Sequence, residues 1–353
     1  MAINLAAKYE KKLDERFAQS SITDAYAGKK YEFTGVNTIK IWSVDQVKPV
    51  DYNRAGTNFR FGTVNELGDT VQTLTLKNDR GFTFSIDHGN AQEQFNIKHA
   101  NSILKTNWDE VVTPEVDQYR LRAWMNGAGQ GAISSTALTK SNIVEAIMTA
   151  GTGLSNKFVP KKNRTLFIRE TLYIATKLAS EITGIDTLGA KAVRDGSVGT
   201  LDGMKIVPVP DSYFPDGVNF MIKYKGATVD PMTLKVLRVQ KNPLGFDADV
   251  GECRYIHDSF VLGNKADGIY VHAKDGVCAA PAGDTTTASG KVTLTCATSG
   301  ASIRYTTDGS NPKTSDTAAD YSAAFTAPAA GSVVKAYAAK AGLLDSAILT
   351  LNI

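Results

Sequence analysis

Residues able to do chemistry are sparse in this chain of 353 residues. The four histidines, His88, His99, His257 and His272, are scattered, with no pair at metal-ligand spacing and no CxxC partner. His257 and Asp258 resemble a catalytic pair on paper. Adjacent residues on a strand point to opposite faces, however, so the pair reads as structural. Three cysteines (Cys253, Cys278, Cys296) are too few for a disulfide framework and read as free thiols; whether Cys278 and Cys296 pair stays open. Cys253 falls in an expected strand with no helix N-terminus to lower its pKa. No GxSxG elbow, phosphate loop or HExxH is present, and Gly127–Gly131 (GAGQG) follows a helix instead of joining a strand to one. No catalytic residue, metal ligand or cofactor is assigned, and the chain is not expected to be an enzyme.

The elements that would position any function are clearer. From residue 90 to 126, Ile97, Ala100, Leu104, Trp108, Val112, Val116, Tyr119 and Ala123 recur at helical spacing, with Arg120 set mostly off that face. Such a helix would reach on the order of 55 Å. Pro114 should kink or divide it, with Thr113 as a cap. Trp124 lies in its last turn.

Leu5, Tyr9, Leu13 and Phe17 form an amphipathic stripe in an N-terminal arm (residues 1–32) expected to reach a neighbouring subunit. Strands are expected at Thr38–Ser43, Thr70–Leu76 and Phe82–Ile86, the last two as a hairpin around Asp79 and Arg80. The polar stretch Asp51–Asp69 carries Arg54, Phe59, Arg60, Phe61 and Glu66. It reads as an extended loop contacting another molecule. Further helices (from Ser141, and Arg169–Ile182) and strands to residue 274 alternate irregularly, which argues an α+β fold.

The balance of 39 basic and 36 acidic residues is too even for a dedicated nucleic-acid binder, and no apolar run approaches the ~18 residues of a membrane span. No signal core is evident at the N-terminus, so the chain is expected in the cytosol. At about residue 275 composition shifts: Glu, Gln, His, Met and Trp vanish while Ala, Thr, Ser and Gly dominate. Alternation around Val292–Cys296, Ile303–Tyr305 and Val334–Ala338 describes a small β-sandwich, with Ala280–Ser289 as its linker.

The order of parts in residues 1–274 resembles the major capsid proteins of tailed bacteriophages, the Hong Kong ninety-seven fold. The residues that carry it are Asp79–Asp87 (DRGFTFSID), Val112–Arg120 (VTPEVDQYR), Gly196–Gly203 (GSVGTLDG) leading into Ile206–Pro210, Tyr255–Val261 (YIHDSFV) and Gly268–Val271. The resemblance implies an arm (1–32), an extended loop and hairpin (47–87), a spine helix (90–126), a mainly axial domain (140–225) and peripheral-domain strands (226–274). It further implies self-assembly into pentamers and hexamers around packaged double-stranded DNA held by weak non-specific contact. A portal protein and a separately encoded scaffolding protein are the other implied partners, the second because the resemblance starts almost at Met1. The loop at Asp51–Asp69 holds no lysine, so no covalent cross-link is expected from it. The implied location is the virion, after assembly in the host cytoplasm.

The tail is similar to the immunoglobulin-like C-terminal module of chitobiases, on Ala301–Pro312 (ASIRYTTDGSNP), Val334–Gly342 and Asp345–Ser346. That resemblance implies an outer-surface domain (275–353) whose surface residues are Tyr305, which also supplies the large buried ring, Asp308, in a tight turn with Gly309, Tyr321 and Tyr337, suited to weak adhesion to bacterial or mucosal carbohydrate. A nanocompartment shell of the same fold and a carbohydrate-active enzyme with an accessory module are the competing readings.

Overall fold

In a computed structural model the chain is described at residues 20–31, 33, 37–44, 49–55, 59–64, 66, 68–89, 99–179, 199–245, 247–284 and 290–353. The arm stripe Leu5, Tyr9, Leu13 and Phe17 lies outside these residues, as does Ile97. Strand β1 (Thr38–Val44) pairs antiparallel with β2 (Asp69–Thr75), from Thr38 opposite Thr75 to Val44 opposite Asp69. The long loop is therefore the connection of a β1–β2 ribbon.

The expected hairpin between the second and third strands does not form. Strand β3 (Asn78–Asp87) instead joins a three-stranded antiparallel sheet further along the chain. Lys77 marks the break, its N–H donating to the Asp258 carboxylate at 2.9 Å, and Asn78–Gly81 is extended strand rather than turn.

The spine runs as α1 (Ala100–Asn107), a π-helical turn (Trp108–Val112) and α2 (Thr113–Asn126). Proline removes a donor and crowds the preceding turn, and a π-turn just ahead of Pro114 accommodates both effects without breaking the helix. Thr113 does not cap a second segment. Its hydroxyl donates back to the Trp108 carbonyl at 3.2 Å, the oxygen its own N–H already uses. Leu104, Val112 and Val116 are buried as the periodicity requires.

The chain continues through β4 (Gln130–Ile133), α3 (Ile143–Asn156), β5 (Arg164–Arg169), α4 (Glu170–Lys177), β6 (Thr200–Leu201), β7 (Met204–Val209), β8 (Val218–Tyr224), β9 (Thr228–Val229), β10 (Met232–Lys241), β11 (Ala248–His257), β12 (Phe260–Val261) and β13 (Ile269–Ala273). A six-stranded mixed sheet has the order β4-β13-β8-β5-β7-β6, and β3 completes a second sheet, β10-β11-β3. Strand β13, expected with the strands of residues 226–274, thus lies in one sheet with β5, β7 and β8. One core cluster gathers Leu121, Trp124 and Met125 of the spine against Phe167, Met221, Ile269 and Val271; a second packs Ile143, Ile147 and Leu154 on the same sheet.

The tail is a sandwich of two antiparallel sheets. One has the order β14-β15-β18 (Ala282–Asp284, Lys291–Thr295, Phe325–Thr326) and the other β17-β16-β19-β20 (Ala319–Asp320, Ser302–Thr306, Val333–Ala339, Leu349–Asn352). Its core holds Val292, Leu294, Ile303, Ala336 and Ala338. Residues 282–284 are the first strand of the sandwich, so the expected linker at Ala280–Ser289 is corrected there.

Candidate assembly surface

The described residues of the β1–β2 connection are braced by local backbone bonds. The Asn53 N–H donates to the Arg60 carbonyl at 3.0 Å, and the Gly62 N–H to that of Phe59 at 2.9 Å. The rings of Tyr52 and Phe61 meet edge to face, 4.9 Å apart. Arg54, Arg60 and Glu66 are exposed, and so are large apolar groups: Phe61 is 86% exposed, Val64 82% and Trp42 66%. Phe59 holds a left-handed backbone (φ 52°) with its ring 69% exposed. At the end of α3, Phe158 does the same at φ 58° with 95% exposure. Bulky aromatic residues rarely adopt that conformation, and here the isolated subunit gains no burial from it.

The other residues selected from the sequence make contacts within the chain. Asp79 takes a two-pronged ion pair from Arg254, which holds its carboxyl below the usual range, and Arg80 reaches Glu115 of the spine at 3.0 Å. Trp108 lies beneath the Lys235 amine (3.9 Å) and edge-on to Tyr255. Tyr119 donates to Asp258 at 2.7 Å; desolvation first, and that carboxylate second, push its pKa up to about 12. Asp258 does not bond His257. It also accepts the N–H groups of Ser259 and Lys77, while His257 is buried against the rings of Tyr119 and Tyr255, and that burial is the main cause lowering its pKa. The pair is structural. Among the described residues no cluster of three potential metal ligands occurs, and no helix is long and apolar enough to cross a membrane.

A buried polar clasp is what the sequence reading missed. Asp117 of the spine accepts from the Ser21 hydroxyl (2.8 Å), the Ile22 N–H (2.7 Å), and both the N–H and hydroxyl of Thr23. Arg120, 3% exposed and so not off the buried face, donates to Thr23 and Asp24. Lys223, 1% exposed, gives its amine to the Tyr26 carbonyl (2.7 Å) and lies 3.6 Å over the Trp124 ring. Burial pushes its pKa down to about 7, against the pull of Asp230. Asp230 accepts from Trp124 Nε1 and the Gly28 N–H. Part of the expected arm, residues 20–31, is thus fastened to the body of its own chain. Val112, Val116, Arg120 and Trp124 share i, i+4 spacing, the one sequence signal that could have placed Arg120 inside.

In the tail, Tyr305 stacks on Phe325 with centroids 4.2 Å apart, and Tyr321 meets both edge-on; all three are half-buried. Asp308 is exposed and closes a turn with Ser310 and Thr317. Tyr337, expected on the surface, is 7% exposed: it lies on the face of β19 opposite the sandwich core, under the Lys313 amine, where the module meets the body.

Solved phage structures, capsids among them, share the architecture of the body. One from Mycobacterium phage Che8 aligns with 77% of this chain and 99% of its own length, at TM-score 0.62 and 18% identity. The capsid of cyanophage P-SCSP1u aligns with 76% and 93% at TM-score 0.63 and 14% identity, and that of the myovirus phage XM1 with 77% and 99% at 0.54 and 12%. The body has the phage capsid fold. Residues 281–350 match the family model of the chitobiase/beta-hexosaminidase C-terminal domain. No curated protein matches the chain by sequence. The glycines after the spine now have a packing reason: a Cβ on Gly129 would meet the Ala266–Asp267 backbone at 2.7 Å, so the residue permits close approach there.

Proposed function

We propose that this chain is the shell subunit of a tailed-phage head, assembling with copies of itself into pentamers and hexamers around packaged double-stranded DNA. The observation that carries the reading is the set of exposed aromatic and aliphatic groups on the β1–β2 connection and at Phe158, two of them on left-handed backbone, in a subunit of capsid fold. Exposed apolar groups of this size mark contact surfaces. A portal and a separate scaffolding protein are the other partners of the proposal, DNA contact is weak and non-specific, and the location is the virion. The protein acts by assembly, without catalysis. The C-terminal module adds weak carbohydrate adhesion at the outer surface.

The Phe61→Asp and Phe158→Asp variants test this. Both side chains are solvent-exposed in the subunit, so thermal stability should stay within about 0.5 kcal/mol of the parent. Sedimentation should show loss of rings or shells. Variants that assemble like the parent would remove these surfaces from the proposal.

A further inference from the structure

The C-terminal module is joined to the body by more than the chain. Lys313, in the loop after β16, sends its amine to the carbonyls of Asn126 (2.7 Å), the last residue of the spine helix, and Ala128 (2.8 Å), just past its end. The Asp345 N–H donates to Asn126 Oδ1, the Ile348 N–H to the Gly129 carbonyl at 3.0 Å, and Asn311 Nδ2 to the Gly263 carbonyl at 3.1 Å. Leu344 is 3% exposed and packs in the main core of the body, with Leu121, Trp124 and Met125, rather than in the sandwich. Its backbone bonds Gly276 and Cys278, so the stretch 276–278 is pinned as well.

We infer that the module is a built-in clasp of the subunit: Lys313 caps the spine helix and Leu344 completes the body's core, so module and body form one cooperative unit. This deepens the shell reading without depending on it, because the bonds lie within one chain. A knob that only decorates the surface would leave the helix end satisfied by water and the core closed without Leu344.

Amide hydrogen exchange on the full chain tests the clasp, with Lys313→Met and Leu344→Ala as separate variants. Leaving two buried carbonyls without a donor should speed exchange roughly tenfold or more at Gly127, Ala128 and Gly129. Amides around Ile147 and Leu166, in the second core cluster, should speed as well, because module and body open as one unit. Heating the parent should give one transition for module and body together. Should one variant fail to fold, the other carries the test. Unchanged exchange at residues 127–129 in both variants, or a module that melts while the body's protection persists, would overturn the inference. Subunit stability is read here and shell formation is not, so a failure leaves the assembly proposal standing or falling on its own test.

Discussion

At the scale of single residues, Asp117, Arg120, Lys223 and Asp230 hold buried structure together. Lys223 is the sharpest case, an amine buried beside Asp230, Arg120 and Lys225 and against the Trp124 ring. Its pKa is about 7 in the folded chain, against the ~10.4 of an unfolded lysine. Between those values the unfolded state binds more protons, so this group's contribution to stability rises with pH from about 7 toward 10 and is flat below 7. Thermal unfolding of the parent and of Lys223→Met near pH 7 and about pH 9.5 should show the parent gaining on the variant at the higher pH. Parallel pH profiles would count against a buried amine there. Little of this clasp was legible in the sequence. Asp117, Arg120, Lys223 and Asp230 look like ordinary surface charges when read singly, and residues about a hundred positions apart give no local pattern to join them. Arg120 alone had the spacing to be placed inside. The bland reading of His257 and Asp258 came from strand geometry, and their separate partners agree with it.

At the scale of elements, the periodicities located most strands and the spine, because burial on one face writes itself into the sequence. Pairing was less legible. Alternation says that Thr70–Leu76 and Phe82–Ile86 are strands, yet not which neighbours they take, and a turn-like pentapeptide between them suggested the wrong partner. The backbone bond of Lys77 to Asp258, a residue far along the chain, sends the two strands into different sheets. Helix disruption at Pro114 was legible, whereas its form, a π-turn without a break, depends on packing around Trp108 and Val112. The module's aromatic residues raise an element-scale question of their own. Tyr305, Tyr321 and Phe325 stack mainly on one another, leaving half-exposed edges for any sugar. A glycan array probed with assembled particles should show weak binding that depends on particle valency and is lost in Tyr321→Ala. Absence of binding at particle valency would remove adhesion from the proposal.

At the scale of the whole molecule, the α+β body and the β-sandwich were both readable, one from the order of its motifs and the other from a shift in composition. Their union was not. A change in composition at residue 275 suggested a bead on a linker, whereas the structure runs strand from residue 282 and places Leu344 in the body's core. Removing the residues after 274 should therefore damage the subunit instead of trimming a knob. In the proposed shell, large apolar groups stay exposed on each chain until a second copy covers them. Electron microscopy of the purified full-length protein, concentrated with and without a co-expressed scaffold, tests it most directly. Pentameric and hexameric rings or closed shells carrying a knob on every subunit are predicted. A monodisperse monomer under all of these conditions would contradict the account.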